Sequence, residues 1–347
     1  MWRRGMVLFP VSAMLVMLAL TLGRLLPDPG RLAYASEYLG STEIHLLDIS
    51  RGFRFNLSWG GVPVWSPDGR YMAYVTGSRA NQDIFVMDAN GSHTQNVTPD
   101  SPHDMSPAWS PDSQHIAFQS LRDGNWEIYA ADICDGCKTN PRNLSRDSAI
   151  DSSPSWSPDG TQIAFLSTRG GESEIYVMNT DGSNIHQLTR NSMTDLQAPV
   201  WSPDGKQIAF SSLRWGNWDI YVMDAGCGEL PECVDKPVRN LSQHPAQDTS
   251  PAWSPDGHWM AFTSRRDNNA EIYLVDAKGG TPVNLTQNPG DDSSPAWSPD
   301  SQQIAFQSNR DGLYSDEIYV IDLVSEKTQR VTYSYGSHQY PAWWPSN

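Results

Sequence analysis

The tetrapeptide Trp-Ser-Pro-Asp recurs along this chain at Trp65, Trp109, Trp156, Trp201, Trp253 and Trp297, and a degenerate seventh copy, Trp343-Trp344-Pro345, stands near the C-terminus. The spacings are 44, 47, 45, 52, 44 and 46 residues. A period of this length matches a four-stranded propeller blade and is too long for the short solenoid repeats. Each period has the same grammar. A short apolar strand ends at the Trp, and a Ser-Pro-Asp turn follows, closed by Gly69, Gly160, Gly205 or Gly257 in four copies and by Ser113 or Ser301 in two. Proline presets the turn's second position and aspartate closes it through its own side chain. A buried second strand (Ile116-Ala117-Phe118 and its equivalents), a third (Glu127-Ile128-Tyr129) and a short fourth (Asn96-Val97-Thr98) complete the unit.

The ends of the chain set the blade count. Before the first Trp motif lie a second strand (Leu32-Ala33-Tyr34), a third (Glu43 to Leu46) and a fourth (Asn56-Leu57-Ser58), with no first strand. After the sixth unit comes a lone first strand, Pro341-Ala342-Trp343. Joined, the fragments make one more blade and remove two open sheet edges. The expectation is an all-β, seven-bladed propeller over residues 25–347, closed by pairing the C-terminal strand with the N-terminal strands.

Residues 1–24 differ in kind. Arg3 and Arg4 precede an uncharged apolar stretch from Gly5 to Gly23, and nineteen helical residues span roughly 28 Å, close to the bilayer hydrocarbon. The reading is one N-terminal apolar helix preceding the propeller, a signal anchor or signal peptide, with the propeller outside the cytoplasm, periplasmic or extracellular, and secreted if the segment is cleaved. Four cysteines fit that placement. Cys134 with Cys137 and Cys227 with Cys233 are local pairs in third-to-fourth-strand hairpins separated by a whole blade. Loop tips so far apart cannot share a zinc ion, which leaves two local disulfides. The Asn-x-Ser/Thr triplets at Asn56, Asn96, Asn143, Asn240 and Asn284 read as part of the fourth-strand repeat. The net charge of −16 repels phosphate backbones, so nucleic acid is excluded as a partner.

The Trp-Ser-Pro-Asp-Gly, Ile-Ala-Phe and Glu-Ile-Tyr strings at this spacing resemble the TolB-type β-propeller repeat, from Leu32 to Trp344. The resemblance implies a periplasmic or extracellular propeller. Members of the TolB type proper pair six blades with a separate N-terminal α/β domain. Here seven are counted, and between Gly23 and Leu32 there is no room for that domain, so only the repeat type is carried over.

Propellers of this repeat also occur fused to serine hydrolases, but no Gly-x-Ser-x-Gly elbow is present. The eight histidines lack ligand spacing, though inter-blade loops place His103, His244 and His338 within reach of one mouth, the arrangement a metal-assisted polysaccharide-modifying enzyme of the lyase kind would need. The preferred reading is a binding or scaffolding protein without cofactor. Its binding face is the one bearing the inter-blade and second-to-third-strand loops. Arg79, Arg122, Arg169, Arg214, Arg266 and Arg310 recur there, as do Asp104, Asp151, Asp195, Asp248 and Asp292. These rings are read as Asp–Arg hydrogen bonding across neighbouring blades, with a polar funnel for a peptide, a carbohydrate or Ca²⁺ as the functional alternative. Trp126, Trp215, Trp218 and Tyr314 are not repeated, and are candidates to stack on a sugar or anchor a partner chain.

Overall fold

The computed structural model describes residues 30–78, 81–99, 101–134, 139–190, 198–214, 216–226, 238–311, 315–333 and 336–345. They form seven four-stranded antiparallel sheets and, among the described residues, no helix. The apolar stretch of residues 5–23 lies outside them, and no helix of the described residues is long and apolar enough to cross a membrane. Blades 1 to 6 run consecutively and begin with the strands Gly61–Trp65, Asp104–Trp109, Asp151–Trp156, Val200–Trp201, Asp248–Trp253 and Asp292–Trp297. Blade 7 is the split one: its first strand is Ser337–Trp343, and it pairs antiparallel with Arg31–Tyr38, placing Leu32 opposite Trp343 and Ala33 opposite Ala342. Ser41–Asp48 and Phe53–Trp59 complete it. The first strands of successive blades touch one another all the way round, including blade 7 to blade 1, so they surround the axis.

The repeated residues explain why the ring forms. The second strand supplies a fully buried aliphatic-Ala-aromatic triplet in each blade, such as Ile208-Ala209-Phe210, and the third supplies Ile220 and Tyr221. Ala209 and Ile220 pack against the next blade's Trp253 and second strand, while Ile208, Phe210 and Tyr221 pack against the preceding blade, so the core is a set of layers between blades and not one central mass. Burying each such aromatic or Ile stabilises the ring by roughly 1.5–3 kcal/mol. Indole N–H groups cannot be left unpaired there, and all seven donate across the blade boundary. Trp109 Nε1 donates to Val64 O at 3.0 Å, Trp156 to Ala108 O at 3.1 Å, Trp201 to Ser155 O, Trp253 to Val200 O, Trp297 to Ala252 O, Trp343 to Ala296 O and Trp65 to Ala342 O. Each acceptor is the residue just before the preceding blade's own Trp. The cycle closes on itself.

The turns are equally uniform. The Ser hydroxyl donates to the Asp carboxylate, as in Ser202 to Asp204 at 2.7 Å, and also accepts the N–H five residues on, as from Gln207 at 2.9 Å. Ser113 and Ser301 take the left-handed backbone that Gly holds elsewhere (φ 61° and 60°). Each compensates with a bond that glycine has no atom to make, accepting the N–H of Asp68 and Asp256, respectively, from the preceding blade at 3.1 Å. The Asn-x-Ser/Thr triplets are structural as well. Thr98, Ser145, Ser242 and Thr286 are buried and accept the N–H of Ile84, Ile128, Ile220 and Ile272 at 2.9–3.0 Å.

Blade 7 departs from the pattern inside its core. Where other blades stack Phe on Tyr, it stacks Tyr34 on His45 at 5.4 Å, and His338 meets Tyr34 edge-on at 5.3 Å. His338 is fully buried and lies 3.1 Å from Glu317 of blade 6. Burial, with Arg54 and His338 nearby, lowers His45 from 6.5 to about 4, and burial pushes the Tyr34 hydroxyl up to about 12.

Two outcomes follow from this architecture. Trp343→Phe keeps the ring but orphans the Ala296 carbonyl, and should lower unfolding free energy by about 1–2 kcal/mol in urea titrations. His45 binds fewer protons folded than unfolded between pH 6.5 and 4. The stability it permits is therefore whole above pH 6.5 and falls with pH through that window, by roughly 2–3 kcal/mol. His45→Phe should flatten the corresponding fall in melting temperature between pH 7 and 4.

Candidate binding face

The ends of second and fourth strands and the starts of first and third strands lie on one side of the ring, opposite the Ser-Pro-Asp turns. This is the loop face. Asp104, Asp151, Asp248 and Asp292 open their first strands there, and each is fully buried. Arg169 Nη2 donates to Asp151 at 2.7 Å, Arg310 to Asp292 at 2.6 Å and Arg266 to Asp248 at 3.2 Å, with Arg122 3.4 Å from Asp104. In every case the partners belong to the same blade, 18 residues apart, which corrects the expectation of pairing across neighbours. The reason is the hairpin: Asp at the start of the first strand sits opposite the Ser that ends the second, as Asp248 sits opposite Ser264, and Arg follows that Ser by two residues. The Ser hydroxyl accepts the same Arg's Nε, as from Arg266 at 2.8 Å.

The neighbour's contribution is a hydroxyl. Burial raises Asp104, Asp151, Asp248 and Asp292 above the usual carboxylate range, opposed first by the blade's own Ser and Arg and then by Thr98, Ser145, Ser242 and Thr286 from the preceding blade. Each guanidinium also lies on its blade's aromatic pair, Arg266 at 5.6 Å from the Phe262 ring and 4.3 Å from Tyr273. These carboxylates are therefore closed over and engaged. A Ca²⁺ ion would have to displace a guanidinium to reach them.

The other expected site residues are dispersed. Trp126 and Trp218 are half-buried, and their carbonyls accept the N–H of Asp151 and Asp248 from the following blades at 2.8 and 2.7 Å. Trp126 also lies 6.3 Å from the His103 ring. His244 accepts the Ala246 N–H, and His338 is enclosed beside Glu317, so the three histidines stand in three separate environments. Among the described residues no three His, Cys, Asp or Glu side chains converge to hold a metal. Trp215, Tyr314, Asp195, Arg79, Cys137, Cys227 and Cys233 lie outside the described residues, as do residues 1–24; Cys134 is described.

The face has two unlike halves. Between blades 5 and 6 is a polar cleft of about 360 Å³ lined by Gln247, Thr249, Arg265, Asp291, Gln307 and Asp316. Across blades 7 and 1 the surface is apolar. The first strands of blades 2, 3, 5 and 6 carry a β-bulge three residues before the Trp, where Ser106, Ser153, Ser250 and Ser294 adopt φ near 55°. In blades 1 and 7 the same bulge is occupied by Val62 (φ 54°) and Tyr340 (φ 55°), 39% and 47% exposed. A β-branched or bulky residue rarely takes that conformation. On the same face of blade 7, Tyr38 ends the second strand, Leu39 sits in the turn after it and Trp59 ends the fourth strand, 53%, 87% and 60% exposed, and Tyr38 lies against Gly336 at the entry to the closing strand. This apolar arc was missed in the sequence. Aligning the residue three before each Trp would have exposed the exchange of Ser for Val and Tyr.

The chain matches the TolB beta propeller domain at residues 20–141, 62–197, 190–288 and 238–347. It belongs to that family. Among solved structures, TolB from Acinetobacter baumannii is 22% identical with a TM-score of 0.60, over 91% of this chain and 83% of that one. An oligogalacturonate lyase in complex with manganese is 17% identical with a TM-score of 0.66, over 85% and 86%. The β-propeller domain of the trilobed protease from Pyrococcus furiosus, described as having an open velcro topology, is 13% identical with a TM-score of 0.65, over 88% and 95%. At these identities the likeness is one of fold. The TolB-type ring described here is shut by a strand from each end of the polypeptide.

The buried pairs make a test. Asp248→Ala leaves the Arg266 guanidinium without its carboxylate inside the rim and should cost about 3 kcal/mol of unfolding free energy, whereas Thr249→Ala next to it on the cleft should cost under about 0.5 kcal/mol. Urea denaturation of both variants reads the contrast.

Proposed function

We propose that this TolB-type propeller is an exported, non-catalytic binding protein that presents the apolar arc of its loop face to a protein or peptide partner. The observation that carries the reading is the pair Val62 and Tyr340. Both sit exposed in a strained bulge that Ser occupies in blades 2, 3, 5 and 6. Blade geometry does not require them, and strain held at an exposed mouth with large apolar side chains is characteristic of sites that bind. Aromatic anchors with a polar cleft beside them suit a partner with one apolar contact region and a hydrogen-bonding remainder. Trp126, Trp215, Trp218 and Tyr314 belong to the same face in this reading and extend the contact. A carbohydrate would engage the cleft between blades 5 and 6.

Residues 1–24 serve as signal anchor or signal peptide and the propeller occupies the periplasm or the cell exterior. That compartment suits local disulfides, Cys134 with Cys137 and Cys227 with Cys233. The metal-assisted polysaccharide-modifying reading is disfavoured by the dispersal of His103, His244 and His338.

The test is affinity capture from envelope extracts with the full-length chain and with Val62→Ser/Tyr340→Ser, which restores the repeat. Capture of the specific partner should weaken about ten-fold or more in the double variant, and its melting temperature should not fall. Stoichiometric Mn²⁺ or Zn²⁺ in the purified protein together with turnover of an acidic polysaccharide would overturn the reading.

A further inference from the structure

In a propeller of this kind every fourth strand is a sheet edge facing solvent, and this chain blunts nearly all of them. The fourth strands of blades 1 to 5 are two residues long, Gln95–Asn96, Arg142–Asn143, His186–Gln187, Arg239–Asn240 and Val283–Asn284. Blade 6 has four, Lys327–Arg330, charged at both ends. Short or charged edges are the usual protection against adventitious strand pairing. Blade 7 is the exception: its outer strand, Phe53–Trp59, runs seven residues and pairs only on its inner side, with Ser41–Asp48. Phe53 and Phe55 are 56% and 43% exposed on that edge, and Arg54 and Asn56 are exposed beside them.

We infer that this edge is a docking strand for an extended acidic segment of another protein, which adds to blade 7 as a fifth strand. The backbone argument is that an antiparallel strand paired on one side turns alternate N–H and C=O groups outward, a ready ladder for β-augmentation. The side-chain argument is that Phe53 and Phe55 share one face of the strand, opposite Asp48 and Leu46, and offer an apolar surface beside the ladder. Charge selects the occupant. Between Ile49 and Gly60 the only ionisable residues are Arg51, which pairs with Asp48 at 3.5 Å, and Arg54, which is exposed on the edge strand itself. A second copy of the chain would bring a like net charge to the edge. A strand that sets a carboxylate beside Arg54 is attracted. The Phe53–Phe55 end of the edge lies at the ring's outer rim, and only Trp59, at the strand's other end, is shared with the proposed arc.

The experiment measures hydrogen exchange of the full-length protein with a blocked synthetic peptide of about nine residues alternating glutamate with valine, a length that spans the strand. Amides within residues 53–59 should exchange about ten-fold more slowly in its presence, and a counterpart with alternate amides N-methylated should give no protection. A lysine-for-glutamate counterpart and the variant Phe53→Ser/Phe55→Ser should each weaken binding about ten-fold, the variant with an unchanged melting temperature. Val62→Ser/Tyr340→Ser should bind the peptide normally, so failure of the mouth reading leaves this result untouched. The inference falls if residues 53–59 stay unprotected, if the N-methylated or lysine peptide binds as well, if the Val62 and Tyr340 changes abolish binding, or if light scattering shows a dimer with residues 53–59 protected in the absence of peptide.

Discussion

Seven indole N–H groups, each bonded to the carbonyl just before its neighbour's Trp, form a closed cycle that sets the geometry of everything else. An indole nitrogen in a packed boundary must find an acceptor, and each of the seven finds it in the preceding blade. The bond therefore fixes the angle and offset between blades as well as stabilising each boundary. Because the cycle runs through Trp65 to Ala342 and Trp343 to Ala296, it includes the one boundary made by the two ends of the polypeptide.

That constraint explains where variation collects. Blades 2, 3, 5 and 6 share the same Asp, Ser, Arg and stacked Phe–Tyr unit at the rim, satisfied within the blade and strapped to the previous one by a hydroxyl. Blade 7 replaces the aspartate by His338 and the Phe–Tyr pair by Tyr34 and His45, and it carries the longest outer strand. Blade 1 places Gly60 at the aspartate's position, where a Cβ would strike Tyr74 and the Val75 carbonyl. The apolar arc and the long edge both lie here. Departures from a repeat have a simple physical reading: the fold asks for the repeated residue, so an exception that leaves exposed aromatics and a strained bulge reflects another demand.

The architecture was legible in the residues because a repeat tests its own reading seven times. Strand order, the split blade and the pairing of Leu32 with Trp343 follow from periodicity and from the need to hide edges. The rim was read less well. Asp and Arg recur at a fixed separation, but whether the pair closes within a blade or between blades depends on which ends of the first and second strands are adjacent. The hairpin settles it for the blade. The carboxylates are fully buried because guanidinium, hydroxyl and a stacked ring cover them together, a three-body arrangement invisible in a list of recurring charges. The apolar arc escaped notice because Val62 and Tyr340 are ordinary residues until the positive φ of their bulge and the serines of blades 2, 3, 5 and 6 are set beside them.

The placement of the chain's ends gives the loop face a direction. Second strands run from the turn side to the loop side, so Gly30 and Arg31 enter blade 7 on the turn side, and the closing strand delivers Trp343 and Trp344 to that same side. There the ends are locked together: Trp344 N donates to Arg31 O at 2.9 Å, the Arg31 guanidinium lies 5.0 Å from the Trp344 ring, and Trp344 packs on Trp65 at 4.6 Å. A tether leading to Gly30 therefore pulls on the turn side, and the ring transmits the pull through its closed boundary without opening an edge. The proposed anchor in residues 1–24 would hold the turns toward the membrane and leave the arc of Val62, Tyr340 and Trp59 directed away from it, with the Phe53–Trp59 edge standing upright at the rim between the two.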